Sequence, residues 1–180
     1  MFVIPYTVTE EDYYRFSCHH AFTSRQGRRT LLTAQILLPV LLALIALAAA
    51  ASDPAFLAVK LGALAAISVL WVVFAKRRMR RAIRKNLRRL KKSGRLPYSG
   101  SGTLTFGESE IAETGETGES RVPYSLVEKL DATDGGVYVY VGAMQAVLLP
   151  NACFADAAQR DALLAFLREK TGKTPVFTRE

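Results

Sequence analysis

The sequence predicts an α-helical transmembrane hairpin followed by a small α+β domain on the cytoplasmic side. Two adjacent apolar segments, residues 31–51 and 55–75, each have the roughly 20 residues that a helix needs to cross a bilayer. After residue 96, short stretches alternate apolar and polar residues, which indicates strands. We therefore predict four parts: an N-terminal strand and amphipathic helix (1–30), the hairpin (31–75), a basic juxtamembrane helix (76–95) and a folded cytoplasmic domain (96–180).

The N-terminal part begins with an extended segment, residues 2–8, which Pro5 confines to a sheet edge because proline has no N–H to donate. Thr9 and the three acidic residues after it are typical of a helix N-terminus. Residues on one side of this helix then recur at helical spacing and give it a largely aromatic face: Tyr13, Phe16 and His20 or Ala21. That face suits the lipid headgroup layer and the folded domain equally well.

The hairpin prediction depends on the near absence of charge. The first apolar segment has none, and the second has only Lys60. Backbone polar groups must be satisfied internally in lipid, so two helices fit better than any other structure. In the connector, Asp53 suits the cap and Pro54 the first position of the second helix. A connector this short requires an antiparallel pair.

The orientation of the hairpin follows from its basic flanks. Arginine and lysine residues cluster on both outer sides: Arg25, Arg28 and Arg29 before the hairpin, and Lys76, Arg77, Arg78, Arg80 and Arg81 after it. The connector has no basic residue. The positive-inside rule then places both termini in the cytoplasm.

Two features inside the hairpin have alternative interpretations. Ala58, Gly62 and Ala66 form a stripe of small residues, which suits packing on the first helix or, less often, a dimer seam. Lys60 could mark an ion path, but it lies about 9 Å along the helix from Pro54. Its side chain can therefore reach the outer interface, which is the favoured interpretation.

Charge is distributed unevenly along the chain. Residues 96–180 contain 12 acidic and 7 basic residues, whereas residues 1–95 contain 17 basic and 4 acidic ones. The basic excess therefore lies at the membrane, and an acidic domain makes nucleic acid a poor partner. Cys18 and Cys153 both fall on parts predicted to be cytoplasmic, so we expect no structural disulfide.

The basic helix carries the candidate binding residues. Met79, Ile83, Leu87 and Leu90 form an apolar stripe on it, and three interpretations compete: a topology signal, a flat-lying reader of anionic lipid headgroups, or a helix packed on the folded domain or a second copy. The candidate lipid-binding or partner-binding residues are its cations: Arg77, Arg78, Arg80, Arg81, Arg84, Lys85, Arg88, Arg89, Lys91 and Lys92. Ser93 and Gly94 predict the end of the helix.

The sequence gives no sign of catalysis. Adjacent residues on a helix point about 100° apart, so Cys18, His19 and His20 cannot converge on one metal ion. A phosphate-binding glycine loop, a nucleophile elbow and a paired-carboxylate setting are all missing. We therefore expect no enzyme activity, no metal and no cofactor.

The folded domain is predicted from turns and caps. A flexible joint at 99–102 leads to a hairpin around Gly107 and Glu108, and further turns are predicted at 115–118 and 134–136. Strands at 137–141 and 145–149 flank one more turn, and residues 126–133 are ambiguous between helical turn and strand. Asp156 and Gln159 predict the start of a last amphipathic helix, which Gly172 ends.

Two stretches of this domain resemble the YcxB-like family of bacterial membrane proteins. The first is Val-Pro-Tyr-Ser at 122–125, followed by a strand. The second is the aromatic strand at 138–140, followed by the hydrophobic strand that ends in Pro150 and Phe154. The resemblance implies a membrane anchor and a pleckstrin-homology-like sheet capped by a C-terminal helix. It lends no catalytic residues, and two-pass proteins with bacterial pleckstrin-homology domains look similar too.

Together these features predict a non-catalytic module at the inner face of a bacterial plasma membrane. Its expected role is to bind a protein partner or a second copy of itself. The alternative is a sensor of anionic membrane lipids that reads headgroups with the basic helix.

Overall fold

A computed structural model describes residues 1–52, 57–94, 100–115, 118–142 and 145–178. The chain forms two compact units. We call Met1–Phe16 with Leu90–Glu180 the sheet unit, and Ser17–Arg89 the helical unit. The elements in chain order are β1 (Phe2–Thr7), α1 (Glu10–Thr23), α2 (Arg25–Ser52), α3 (Leu57–Lys92), β2 (Ser101–Phe106), β3 (Glu110–Gly115), β4 (Gly118–Pro123), β5 (Lys129–Thr133), β6 (Gly136–Tyr140), β7 (Ala146–Pro150), α4 (Ala157–Thr171) and β8 (Val176–Thr178).

The helical unit contains two helices, α2 and α3, that are long and apolar enough to cross a membrane. Only 6% of the most apolar stretch of each helix is buried within the chain. The core helix of a soluble protein would be mostly buried, so these helices fit the predicted transmembrane hairpin better. The Trp71 indole N–H donates to the carbonyl oxygen of Ala34 at 2.8 Å and joins the two helices. Asp53 and Pro54, the predicted cap of the second helix, lie outside the described residues.

The predicted stripe of small residues does not pack on the first helix at Gly62. That residue is exposed, and no described atom lies within 4 Å of the position that a Cβ would take there. The other interpretation of the stripe, a seam between two copies, stays a prediction.

A tight corner at Ser24 separates α1 from α2. The Ser24 hydroxyl accepts a hydrogen bond from the Gly27 N–H at 3.0 Å, as a helix cap does. A Cβ at Gly27 would lie 2.1 Å from the carbonyl oxygen of Ala21. Glycine is therefore required where the start of α2 approaches the backbone of α1 this closely.

The sheet unit contains two four-stranded sheets with the orders β1-β2-β3-β4 and β7-β6-β5-β8. All neighbouring strands are antiparallel except β5 and β8. Strand β1 pairs with β2 from Phe2 opposite Phe106 to Thr7 opposite Ser101. A strand that precedes both long helices thus completes a sheet whose other strands follow them. It is an edge strand, which confirms the prediction made from Pro5.

The flexible joint predicted at 99–102 is wrong for Ser101 and Gly102, which belong to β2. These residues are extended because β1 returns to pair with them, and the Val8 N–H donates to the Gly100 carbonyl at 2.9 Å beside them. A Cβ at Gly102 would lie 2.6 Å from the carbonyl oxygen of Thr114. The glycine serves close strand packing here, not flexibility.

The core of the sheet unit combines apolar residues of both sheets and of α4. Leu163, Leu164 and Leu167 contribute the buried face of α4. Its start is capped as predicted, because the Gln159 N–H donates to the Asp156 carboxylate at 2.7 Å. Gly172, with φ of 68°, ends it in the left-handed conformation. The predicted small α+β domain with a C-terminal helix is confirmed.

Candidate interaction surface

The ten predicted binding residues all lie on one helix. α3 runs from Leu57 to Lys92 and continues from the apolar segment into the basic one. Ser93 and Gly94 end it as predicted, with backbone N–H groups that donate to Leu90 and Lys91. Nine of the ten cations are exposed, and Arg78 is half-buried.

The apolar stripe is the covered side of this helix. Leu87 is 5% exposed, and Met79, Ile83 and Leu90 are partly buried. All other residues between 80 and 92 are exposed. The cations beyond residue 80 therefore lie on the exposed faces of α3, away from the covered stripe.

The arginines nearest the apolar segment contact aromatic rings. The Arg78 guanidinium lies 3.3 Å from the centroid of the Trp71 ring and donates to the Trp71 carbonyl at 2.9 Å. Arg77 lies 5.4 Å from the Phe74 ring and Arg80 lies 5.6 Å from the Phe22 ring. These contacts turn the first arginines back toward aromatic side chains, as is common at a membrane interface.

The cations farther along α3 divide into three groups. Lys91 donates to the Glu10 carboxylate at 2.8 Å, in an exposed ion pair that contributes little stability. Arg81, Lys85, Arg88 and Arg89 form a second group, which we call the basic row. They follow one another at i, i+4, i+7 and i+8, so they share a face. Among the described residues, no carboxylate forms an ion pair with the basic row. Arg84 and Lys92 are exposed on the same helix.

The sheet unit contains a buried polar cluster that the sequence analysis missed. Asp131 in β5 is fully buried, and Lys129 donates to its carboxylate at 2.6 Å. The Lys129 ammonium lies 5.5 Å from the Tyr140 ring centroid. Phe16 of α1 contacts the rings of Tyr138 and Tyr140, with centroids 5.2 and 6.0 Å apart. The aromatic face of α1 thus packs on the folded domain at Phe16.

This cluster was hidden because residues 126–133 were ambiguous in sequence. In the structure a short helical turn at Tyr124–Leu126 precedes β5, and β5 is covered on both faces. Lys129 and Asp131, two residues apart, point to the same side of the strand. This pair of opposite charges, together with the aromatic face of α1, was the sequence signal that could have revealed the cluster.

Burial raises the pKa of titratable groups in the sheet unit. It raises the pKa of the Tyr140 phenol, and the nearby Asp131 carboxylate adds to the effect. Burial also raises the pKa of the Cys153 thiol, which opposes the thiolate form that reactive cysteines need. The Asp131 carboxylate is buried and ion-paired, so the cluster fits a structural role better than a chemical one.

Alkaline pH is expected to destabilise the sheet unit through its buried tyrosines. Burial raises the pKa of Tyr124 to about 12, above its ordinary 10, and its hydroxyl donates to the Gly107 carbonyl at 3.0 Å. The pKa of Tyr124 is higher in the folded protein than in the unfolded chain, so folding is favoured while the phenol stays protonated. The contribution of Tyr124 to stability is therefore complete below about pH 10 and is lost as pH rises toward 12. Tyr124→Phe should lose about 1 kcal/mol of stability at neutral pH and show a shallower alkaline decline.

The measurement is urea unfolding of both proteins at about pH 8 and about pH 11. An equal alkaline decline in Tyr124→Phe and in the parent chain would assign the effect to other groups, with Tyr140 the first to test.

Among the described residues, no group of three or more His, Cys, Asp or Glu side chains could hold a metal ion.

Comparison with known proteins finds one family. Residues 106–167 match the family model described as YcxB-like protein, which confirms the predicted resemblance. The match runs from the end of β2 into α4 and leaves the two long apolar helices outside it. No curated protein and no solved structure matches the chain.

Proposed function

We propose that this chain, whose residues 106–167 match the YcxB-like family, is a two-pass protein of the bacterial plasma membrane. The family match and the two long apolar helices fit a membrane protein. In this proposal the hairpin holds a non-catalytic, pleckstrin-homology-like domain at the cytoplasmic face. There the domain associates with a protein partner or with a second copy.

The pairing of β1 with β2 is the observation that carries the proposal. The two strands flank the apolar hairpin in sequence, yet Ile4 lies opposite Leu104 in one ladder. Strands that exchange backbone hydrogen bonds must occupy the same compartment. Two membrane crossings between them satisfy this requirement and a single crossing does not. The basic flanks then favour the cytoplasmic side.

The strand arrangement supports the pleckstrin-homology-like part of the proposal. Strands β1 to β7 form two sheets in which every neighbouring pair among them is antiparallel, and α4 follows. Helix α4 contributes three buried leucines to the core. That order agrees with the fold that the family resemblance implies.

Reporter fusions test the topology directly. We expect green fluorescent protein to be fluorescent at both termini, and alkaline phosphatase to be active only when inserted in the connector at 53–54. Phosphatase activity at either terminus, or a chain that fractionates as a soluble protein without detergent, would contradict the proposal. The connector insertion serves as the positive control for the outer side.

Association is tested separately by pull-down of the full chain in mild detergent, with two differently tagged copies in the same cells. A chain that is strictly monomeric and captures no reproducible partner would remove the association role and leave the topology intact.

Lipid sensing is a second candidate for the arginines nearest the membrane. The Arg78 guanidinium stacks on Trp71, and in the proposed membrane location it would lie where it can contact a headgroup phosphate. The flat-lying form of this hypothesis needs the apolar stripe to face lipid. The burial of Leu87 within the chain argues against that form.

A further inference from the structure

Resting on the proposed cytoplasmic location, we propose that the basic row (Arg81, Lys85, Arg88 and Arg89) is the docking surface for an acidic helix of a partner protein. The proposal names the chemistry of the partner that the module would recruit. It has three supports: the geometry of the row, its distance from the bilayer and its composition.

The geometry of the row is set by the covered side of α3. At about 100° per residue, Arg81 and Arg88 lie roughly opposite Ile83, which belongs to the covered stripe. The stripe cannot leave its covered position without exposing Leu87, which is 5% exposed. The row is therefore presented outward, over about 12 Å of helix at 1.5 Å per residue.

Distance favours a soluble partner over the bilayer. For a helix that leaves the bilayer at Lys76 along the membrane normal, Arg81 lies about 8 Å and Arg89 about 20 Å from the membrane surface. The Debye length at physiological salt is about 8 Å, so three of the four charges lie beyond effective reach of the headgroups. They interact strongly only with an anion that comes to them.

Composition favours an acidic helix over nucleic acid. Cations at i, i+4, i+7 and i+8 repeat along a line, and carboxylates at the same spacing on a second helix can meet them in register. Binding of single-stranded nucleic acid uses aromatic side chains for base stacking, and residues 79–92 contain none. RNA would find only phosphate contacts here.

The test measures binding of a defined probe to the full chain in uncharged detergent micelles. The probe is a fluorescent helical peptide with glutamate at i, i+4, i+7 and i+8, compared with the same peptide carrying glutamine. The row variant is Arg81→Gln, Lys85→Gln, Arg88→Gln and Arg89→Gln. The matched control removes four exposed cations elsewhere: Arg25→Gln, Arg29→Gln, Arg168→Gln and Lys173→Gln.

We expect the glutamate peptide to bind more weakly as salt rises, and the row variant to bind it about ten-fold less tightly, since exposed ion pairs are individually weak. The control should change affinity by less than about two-fold. Equal losses in both variants, or no binding even at low salt, would overturn the proposal.

Two further arms separate the other anionic partners. Binding of phosphatidylglycerol vesicles and of duplex RNA is measured in the same way. If either binds more tightly than the glutamate peptide and loses affinity in the row variant, that ligand replaces the acidic helix as the partner of the basic row. Because this binding is measured in solution, its failure leaves the topology result untouched. Equally, a wrong topology would not abolish binding in the micelle.

Discussion

Replacing Ile4 with alanine is expected to destabilise the sheet unit by about 2–5 kcal/mol. Ile4 in β1 is 1% exposed and lies opposite Leu104, which is buried to the same extent. Truncation removes buried methyl and methylene groups and leaves a cavity that the neighbouring strand cannot fill completely. Urea unfolding of the full chain in detergent, followed by the near-ultraviolet circular dichroism of the tyrosines, measures the change.

Val3→Ala is the matched control, because Val3 is the preceding residue of the same strand and is 55% exposed. Its stability should change by less than about 0.5 kcal/mol. If Ile4→Ala costs no more than Val3→Ala, β1 does not contribute to the sheet unit. The same-compartment argument, and with it the main support for a two-pass topology, would then fail.

Features that depend on local sequence could be predicted. The apolar lengths of α2 and α3, the stop at Ser93 and Gly94, and the Asp156 cap each follow from a few neighbouring residues. Thr9 is a further case, because its hydroxyl accepts from the Asp12 N–H at 3.2 Å, as the capping pattern predicts. Local patterns determine where helices begin and end because the orphan backbone groups are satisfied by adjacent side chains.

Features that depend on distant pairing could not be predicted. The pattern of residues 2–8 indicates a strand but not its partner, and β2 lies on the far side of two long helices. For the same reason Gly102 read as a flexible residue, although it packs against Thr114 and Tyr6. Burial of Asp131 depends equally on a second element, since the strand itself does not show that its polar face is covered.

The candidate surface was predicted in part. Composition identified its ten cations, and helical spacing identified the apolar stripe that proved to be covered. Sequence could not separate the cations that contact other residues, such as Arg78 on Trp71 and Lys91 on Glu10, from the basic row. Distinguishing these cations requires knowing which side chains lie close to each of them in the folded chain.

Gly136→Ala is expected to cost at least about 3 kcal/mol, because overpacking and backbone strain act together. The sequence analysis assigned this glycine to a tight turn after Asp134. In the structure Gly136 is the first residue of β6, has φ of 159°, and lies opposite Pro150 of β7. A Cβ there would sit 2.3 Å from the carbonyl oxygen of Leu149, which is backbone and cannot rotate away.

Gly142→Ala provides the comparison, since no described atom lies within 4 Å of the Cβ it would add. Its effect on urea unfolding should stay within about 0.5 kcal/mol. Similar losses from both substitutions would mean that the close approach of β7 does not set the cost at Gly136, because the smaller backbone entropy of alanine in the unfolded chain favours folding. A large loss confined to Gly136 would instead show that β6 and β7 pack too closely there for any side chain, so that glycine is needed for the pairing of the second sheet.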